Sequence, residues 1–443
     1  MTGAVTRRLG TADAVVLGLA AMLGTGVFAV WGPAAAAAGA WLPLAVLLAA
    51  VVAACNAAST ADCAVAYPES GGGYVYGREL LAPAAGRLAG VAFLVGKAAS
   101  AGAAALVFGW YVLPSRPEVV AVAVVVVVVA LNIAGVRWTA RGAWALVGGT
   151  LVVLFVIVLC GLFGGHVEPA AATPALPAAP DPGDGVLGVL TAAGLVFFAF
   201  AGYARIATMG EEVRDPDRTL PRAIGVALGI ALVTYLLVAT ALLVGLGSDR
   251  LAGEPSPLAV LVDNGEAHAL GVLVRVGAAV AAGSALLSVL VGLSRTTLAM
   301  ARRGELPTSL AALSARATPW RADIAGGLVA IVIVLVAGPV AAIAVSACAV
   351  LVYYAVINAA ALRLPSRRFR AWTSWLGLLL CVGLAALLPQ RQVLITAGAL
   401  ALGWTACTVV GTVTARRARR RQVLERAEPE RAEPELVDPD RPR

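Results

Sequence analysis

Long apolar segments alternate with short charged connectors along almost the whole chain. Val119–Ala134 and Gly148–Gly164, for example, contain no charged residue. Apolar runs of about 18 residues or more are typical of transmembrane helices, whereas a transmembrane β-barrel shows alternating segments of about ten residues. The pattern therefore predicts an all-α membrane protein that crosses the bilayer about twelve times.

The predicted spans, numbered 1 to 12 in chain order, are residues 12–40, 42–66, 86–113, 117–135, 138–164, 185–211, 222–246, 268–300, 321–338, 340–362, 372–389 and 391–413. The first apolar segment continues directly into this repeating pattern, so we expect no cleaved signal peptide. Residues 166–184, rich in proline and alanine, are predicted to form a flexible external loop.

Composition supports lipid as the solvent of this chain. Its 443 residues are 60% hydrophobic and 13% charged, whereas a soluble domain has roughly 25% charged residues. The cysteines lie in apolar runs without a C-x-x-C motif, which favours small buried hydrophobes over metal ligands or disulfides; they are Cys55, Cys63, Cys160, Cys348, Cys381 and Cys407. His166 and His268 are isolated. With no nucleophile–base pair visible either, we expect no enzyme activity and no cofactor.

Arginines are concentrated in alternate connectors. The arginine-rich positions are Arg7 and Arg8, Arg78 and Arg87, Arg137 and Arg141, Arg214, Arg218 and Arg222, Arg302, Arg303, Arg316 and Arg321, Arg363, Arg367, Arg368 and Arg370, and Arg416–Arg421, whereas the other connectors hold Arg116, Arg250 and Arg391. By the positive-inside rule both termini are cytoplasmic, which requires an even number of spans. Arginine so outnumbers lysine that a bacterial cytoplasmic membrane is the predicted location. Residues 414–443 are predicted to form a disordered charged tail, and nothing else in the chain favours nucleic-acid binding.

Two spans contain signals that interrupt a continuous helix near the bilayer midplane. They are Gly24–Phe28 in span 1 and Phe198–Tyr203 in span 6. Backbone groups freed in lipid must find other partners, and paired interruptions at corresponding positions of two halves indicate a transporter's binding site. The spacing predicts two inverted repeats, residues 12–164 and 185–362, with extra helices at 372–413. The alternative is that these glycines only allow close helix packing.

Several motifs, in this order, resemble one known family. They are Gly24–Phe28, Tyr67–Tyr76, Phe197–Tyr203, Glu211–Pro216, Thr219–Ile224 and Met300–Pro307. The chain from about residue 10 to 413 is similar to the amino acid–polyamine–organocation permeases, close to their bacterial branch that is like the cationic amino acid transporters. The resemblance implies the LeuT-like fold of five plus five inverted helices, with broken spans 1 and 6. It also implies alternating access and an amino acid held between spans 1 and 6.

The broken helices suit a zwitterion. A carboxylate is favoured at the N-terminus of a half-helix, and this is where the backbone N–H groups of Gly24, Thr25 and Gly26 are expected to lie. The Thr25 hydroxyl adds a donor. The carbonyls expected to accept from an α-ammonium are those of Met22, Phe198, Ala199 and Ala201. Three aromatic residues nearby are expected either to line or gate the pocket or to pack in lipid or between helices; they are Phe198, Phe200 and Tyr203.

Two positions depart from the family's pattern. The acidic position that is common after the aromatic residue of span 6 is Ala204 here, followed by Arg205, and the lysine that proton-coupled relatives carry in span 5 aligns with Thr150. Lys97 in span 3 is the candidate replacement, because a midplane lysine is costly and by default functional, and burial disfavours its charged form. The alternatives are a lysine that reaches the interface or pairs with a carbonyl, and a sodium site made by Thr150 with Ser284 or Ser288.

These features together predict a secondary active amino acid permease coupled to protons. No carboxylate is found at midplane depth, which favours a neutral amino acid as substrate. The alternatives are a polyamine or organic-cation permease or exchanger of the same family, and an amino acid sensor that does not transport. Asp62, Glu211 and Glu212 are expected to organise a cytoplasmic gate with nearby arginines, or to be simple interfacial charges.

Overall fold

The computed structural model describes residues 9–67, 71–135, 140–164, 185–207, 213–263 and 270–427. The described residues form helices joined by turns and loops, and their β-type pairing is a single parallel bridge between Leu9 and Val213. Each of the twelve predicted spans contains a helix. Glu211, Glu212, both histidines and the loop at 166–184 lie outside the described residues.

Spans 1 and 6 are divided into shorter helical pieces, and the other spans are single helices. Span 1 consists of Thr11–Met22, Thr25–Ala29 and Trp31–Ala38, and span 6 of Val186–Phe200, the 3₁₀ turn Ala201–Tyr203 and Ala204–Ala207. The remaining spans, in order from 2 to 5 and from 7 to 12, are Leu42–Ala66, Pro83–Val112, Pro117–Ile133, Ala140–Phe163, Pro216–Leu246, Gly271–Arg302, Trp320–Val336, Pro339–Ala361, Ala371–Leu387 and Gln390–Ala427. Connecting helices are Gly73–Leu80, Ser248–Ala252 and Pro257–Asp263.

Helix length and hydropathy agree with membrane crossing. Among the described residues, nine segments are long and apolar enough to span a bilayer. Spans 4, 9 and 11 are shorter, at 17 residues each, which is about 25 Å at 1.5 Å per residue and lies at the lower limit for a span. Proline begins spans 3, 4, 7 and 10 at Pro83, Pro117, Pro216 and Pro339, where its missing N–H costs no helical hydrogen bond.

Two boundaries differ from the prediction. Span 12 continues to Ala427 instead of ending at residue 413, because hydropathy marks where a helix leaves the membrane, while the arginines and alanines beyond are good helix formers. The first part of the predicted disordered tail is therefore helical. Span 7 begins at Pro216, before the predicted residue 222, and includes Pro221.

The surface of the helix bundle is apolar and its interior holds the few polar groups. Large aliphatic and aromatic side chains are exposed on the spans; examples are Val126, Phe155, Leu335, Leu379 and Leu402. Inside, the Asn358 amide donates to Asn56 Oδ1 at 2.6 Å, and the Ser59 and Ser374 hydroxyls lie 2.9 Å apart. These contacts join spans 2, 10 and 11, and they place hydrogen bonds where lipid offers none.

One end of the bundle, which we call the arginine-rich face, is held together by charged contacts between connectors. Arg78 donates to Glu305 at 2.6 Å, and Arg303 lies 3.8 Å from Glu79. Asp62, predicted to organise a gate, accepts from the backbone N–H groups of Arg368 and Phe369 at 3.1 and 3.3 Å. These contacts join the connectors that follow spans 2, 8 and 10.

A candidate substrate cavity between spans 1 and 6

The break in span 1 occurs at Leu23 and Gly24. The last hydrogen bond of the first piece runs from Leu23 N to Leu19 O, and Gly24 then leaves the helical region with φ −88° and ψ −130° before the chain re-enters helix at Thr25. A Cβ on Gly24 would lie 2.6 Å from the Cβ of Ala285 in span 8. Glycine is therefore required here by the close approach of another helix as well as by the break.

At the two breaks, spans 1 and 6 cross with their backbones in direct contact. A Cβ on Gly26 would lie 2.5 Å from Ala199 Cα in span 6, and one on Gly202 would lie 2.5 Å from the Ala21 carbonyl of span 1. Span 6 does not unwind fully, because Ala201–Tyr203 tightens into a 3₁₀ turn. The glycines predicted to break the helices thus also supply the close packing that was the alternative interpretation.

Tyr235 of span 7 contacts both breaks. Its hydroxyl lies 2.6 Å from the Met22 carbonyl oxygen and 3.1 Å from that of Ala199. These are two of the carbonyls that the sequence suggested for an α-ammonium. A carbonyl oxygen has two lone pairs, so each retains the capacity to accept from a second donor.

A cavity lies where the breaks cross. Its volume is about 150 Å³, which is room for on the order of ten waters or one small amino acid. Of the residues predicted for the site, Thr25, Gly26, Phe198, Ala199, Ala201, Lys97 and Ser288 line it. Met22, Gly24, Tyr203, Thr150 and Ser284 do not belong to its lining.

The residues outside the lining have other surroundings. The Tyr203 ring packs 5.3 Å from that of Tyr354, and Thr150 is buried in span 5. The Ser284 hydroxyl donates to the Ala281 carbonyl within span 8 at 3.0 Å. The sodium site suggested for Thr150 with Ser284 or Ser288 remains a prediction, and only Ser288 of the three faces the cavity.

Thr25 presents a polar atom that the protein itself does not satisfy. The residue is 4% exposed, and its buried Oγ1 has no hydrogen-bond partner among the residues that the structure describes. A buried hydroxyl without a partner costs free energy of about 1–3 kcal/mol. Because Thr25 lines the cavity at the start of a helical piece, a bound polar ligand would satisfy it.

Lys97 lies near the middle of the thirty-residue helix of span 3. Its Nζ is 5.6 Å from the centre of the Phe93 ring, one helical turn away, within the range of a cation–π contact. Immediately before it, the Gly96 carbonyl accepts from the Ser346 hydroxyl of span 10 at 2.8 Å. The lysine thus faces the cavity from a helix that is fixed against its neighbour at the same level.

Sequence reasoning missed several lining residues. Those with functional groups are Ser100, Arg205, Arg295, Thr296, Ser346 and Tyr353. Arg205 was noted as a departure from a family pattern but was not assigned to the site. The spacing of Ala285, Ser288, Gly292, Arg295 and Ala299 marks one face of span 8. This face was not identified because other polar residues of the helix, such as Ser284, Ser294 and Thr297, lie off it.

The cavity extends toward the arginine-rich face. It is lined there by Gly71, Gly72 and Ala299, and the Tyr353 hydroxyl accepts from Gly73 N at 3.0 Å. The opposite side is closed by aromatic packing. Phe28 and Tyr111 meet edge to face at 5.9 Å, as do Trp31 and Tyr235 at 6.0 Å.

Backbone contact reinforces that closure. A Cβ on Gly32 would lie 2.7 Å from the Glu254 carbonyl oxygen, in the connector after span 7. Span 1 beyond its break is therefore pressed against this connector. In this conformation the cavity extends toward the arginine-rich face and is closed on the opposite side.

A sequence model described as amino acid permease matches residues 9–413. The chain belongs to the amino acid permease family. An uncharacterized transporter of Mycobacterium tuberculosis is 48% identical over 417 residues, 94% of this chain and 93% of its own. The branched-chain amino acid permease BcaP of Bacillus subtilis is 27% identical over 69% of each chain. The vacuolar cationic amino acid transporter 2 of Arabidopsis thaliana is 29% identical over 74% of this chain and 54% of its own.

Membership confirms the resemblance, the all-α fold with broken spans 1 and 6, and the coarse function. The permease is a multi-pass membrane protein that transports a small molecule, and it is not an enzyme. Among the residues that the structure describes, no group of histidine, cysteine, aspartate and glutamate side chains is arranged to hold a metal ion.

Proposed function

We propose that this permease is a secondary active transporter that moves an amino acid across the bacterial cytoplasmic membrane by alternating access, coupled to protons. The observation that carries the proposal is the crossing of the two breaks at the cavity. There Thr25 offers a buried hydroxyl that no other described residue bonds, beside the backbone of Gly26 and Ala199.

The two ends of a zwitterion fit the two breaks. A carboxylate would accept from the Thr25 hydroxyl and from N–H groups at the start of the helical piece that it begins, where the helix dipole favours negative charge. An α-ammonium would donate to carbonyls of span 6 at Phe198, Ala199 and Ala201. Phe198, which is 9% exposed and lines the cavity, would cover the bound molecule.

The position of the cavity supports an inward-facing state. If the arginine-rich face is cytoplasmic, as the positive-inside rule requires, the end of the cavity at Gly71, Gly72 and Ala299 is directed to the cytoplasm. The aromatic packing then closes the external side. Transport then requires Phe28, Trp31 and Tyr111 to separate while the Gly71–Gly73 segment closes under the substrate.

Lys97 is the proposed site of proton coupling. A lysine held in a cavity at midplane depth changes its charge more readily than one in water, because burial disfavours the charged form. Sodium coupling would instead need an oxygen-lined site.

Reconstituted permease distinguishes these functions. Uptake of a panel of labelled amino acids into proteoliposomes should occur with an inward proton gradient and be unchanged by a sodium gradient. A requirement for sodium would overturn proton coupling. Binding of an amino acid without movement under any gradient would favour the sensor instead of the transporter.

The Lys97→Ala substitution tests the coupling residue. The wild-type permease should show uptake that changes with external pH, and the variant should lose that pH dependence while still exchanging labelled for unlabelled substrate. Lys97→Arg, which keeps the charge but does not release its proton in this range, is the control and should also lose the pH dependence. Unchanged pH profiles in both variants would rule out Lys97 as the coupling group.

A further inference from the structure

Span 11 lies outside the two predicted inverted repeats, and one side of span 2 is hydrogen-bonded to it. Three buried polar residues of span 2 follow one another at intervals of three, namely Asn56, Ser59 and Asp62. Asn56 Oδ1 accepts from the Cys381 thiol at 3.2 Å, and the Ser59 hydroxyl lies 2.9 Å from that of Ser374. Both partners belong to span 11. The order of these contacts shows that the two helices run antiparallel and are joined at two levels.

Asp62 continues these contacts to the arginine-rich face. Its carboxylate accepts from the backbone N–H groups of Arg368 and Phe369, in the connector directly before span 11. From Asn56 to Asp62 the contacts cover six residues of span 2, about 9 Å along the helix axis. We call them the polar seam, which consists of Asn56, Ser59 and Asp62 with Cys381, Ser374, Arg368 and Phe369.

The other end of span 11 is bonded to span 6. The Thr191 hydroxyl, in the first helical piece of span 6, donates to the Leu387 carbonyl at 2.9 Å, where span 11 ends. A Cβ on Gly194 would lie 3.2 Å from the Leu388 side chain. Span 11 therefore reaches from the polar seam on span 2 to the piece of span 6 that precedes its break.

The polar seam is costly to open. The side chains that pair between spans 2 and 11 are at most 2% exposed. A polar group freed within the membrane has no water to replace its partner, and an unpaired buried group bears the full cost of leaving water. Sliding is opposed at Gly377, since a Cβ there would lie 2.7 Å from Asn358 Oδ1. A shift of span 11 along its axis would bring a larger side chain to a place where glycine alone fits.

We infer that span 11 is a brace that moves with span 2 and with the Val186–Phe200 piece of span 6 as one rigid unit when the permease changes conformation. The inference rests on the proposed function, because it assumes alternating access. Contacts between connectors at the arginine-rich face differ from the polar seam. The Arg78 side chain that pairs with Glu305, for example, is 32% exposed, so water can replace its partner.

The inference is restricted to span 11 because span 10 is bonded on two sides. The Asn358 amide donates to Asn56 Oδ1 of span 2 at 2.6 Å, and the Ser346 hydroxyl donates to the Gly96 carbonyl of span 3 at 2.8 Å. Span 10 can therefore follow either neighbour, whereas the polar contacts of span 11 with spans 2 and 6 favour a single unit.

A disulfide across the polar seam tests this unit. Ser59→Cys is combined with Ser374→Cys in a chain whose Cys55 and Cys63, one turn to either side of Ser59, are replaced by alanine. Copper phenanthroline oxidises the two introduced thiols to a disulfide, and dithiothreitol reduces it again. Uptake of amino acid into proteoliposomes should be within about twofold in the oxidised and reduced states, because the two helices need not separate.

The two single variants, treated in the same way, control for oxidation elsewhere in the chain. Uptake that is lost when the double variant is oxidised and regained on reduction, with the single variants unaffected, would overturn the inference. Absence of uptake in the wild type and in the reduced variant would instead contradict the proposed function. The accessibility of the polar seam would then decide the inference.

Labelling of single cysteines measures this accessibility and needs neither a disulfide nor transport. Ser374→Cys should not react with a membrane-impermeant maleimide added to both sides of the membrane, with or without substrate. Ala299→Cys, which lines the cavity, is the control and should react. Size-exclusion profiles report whether each variant is folded. A folded Ser374→Cys that reacts as fast as Ala299→Cys would overturn the inference, because the polar seam would then open to water.

Discussion

At the scale of single residues, the features that matter in this permease are polar atoms at midplane depth. Tyr235 supplies one hydroxyl to the freed carbonyls of Met22 and Ala199, and Thr25 leaves one hydroxyl unsatisfied. In lipid the first arrangement stabilises the broken helices, since no water replaces the missing partners. The second leaves a donor for a ligand. Tyr235 thus supports the breaks, and Thr25 is the hydroxyl that we propose for binding.

The Tyr235→Phe substitution should destabilise the permease, because it removes the donor from both buried carbonyls. We expect a loss of about 1–2 kcal/mol, between the values for soluble cores and those measured within membranes, seen as a lower melting temperature in detergent.

The matched control is Thr234→Val in the same helix. Its hydroxyl donates to the Ile230 carbonyl at an exposed position, so the melting temperature should remain near that of the wild type. A Tyr235→Phe variant as stable as this control would show that the hydroxyl does not support the breaks.

At the scale of elements, the crossing of spans 1 and 6 depends on the absence of side chains. Gly26 lies against Ala199, and Gly202 lies against Ala21, each at a distance that excludes a Cβ. Two helices that approach so closely place their freed backbone groups side by side. The candidate site is therefore formed by the two helices together and by neither helix alone.

Gly202→Ala should separate the two helices at the crossing. Overpacking of this kind costs about 1–3 kcal/mol, and the displaced backbone should also reduce uptake by more than tenfold. Uptake in proteoliposomes and the melting temperature in detergent are the two measurements.

Gly225→Ala in span 7 serves as the control, because a Cβ there would meet no atom within 4 Å. Alanine is the better helix former by about 1 kcal/mol, so this variant should be at least as stable as the wild type. Equal behaviour of the two variants would contradict the close crossing.

At the scale of the whole molecule, the cavity of the permease is closed on one side and extends toward the arginine-rich face on the other. The arginine-rich face is held by contacts between connectors, such as Arg78 with Glu305, and the opposite side by packed rings. The proposed alternating access requires the packed rings to separate and the contacts at the arginine-rich face to rearrange. Asn56 and Asn358, which join spans 2 and 10, can keep other parts of the bundle together while this occurs.

Ala299→Cys should react with a membrane-impermeant thiol reagent only from the arginine-rich side. It lines the cavity near that end, so labelling should occur in inside-out vesicles and not in right-side-out vesicles, and substrate should slow it. The measurement is incorporation of a fluorescent maleimide.

Arg116→Cys, in the opposite connector, should show the reverse pattern, and the six native cysteines, of which five are buried, set the background. Labelling of Ala299→Cys from both sides equally would contradict a single accessible side.

Hydropathy and glycine placement were sufficient to predict much of this molecule. Long apolar runs determine the spans because lipid requires helices with satisfied backbones, and Gly24 and Gly202 mark the breaks because glycine is costly inside a helix. Hydropathy was less successful at helix ends, and span 12 continues as a helix well beyond its apolar part.

The tertiary structure alone decided which faces of the spans meet. Hydropathy gives little periodic signal for the face of these spans that points inward, so the sequence did not reveal that Arg205 and Arg295 share a cavity with Lys97. Nor did it reveal that Tyr235 reaches both breaks. These contacts join residues far apart in the chain, and they exist because close packing at small residues brings the helices together. The sequence by itself determined that the chain spans the membrane, where its spans lie and where spans 1 and 6 break. Packing determined which charged and polar side chains line the cavity.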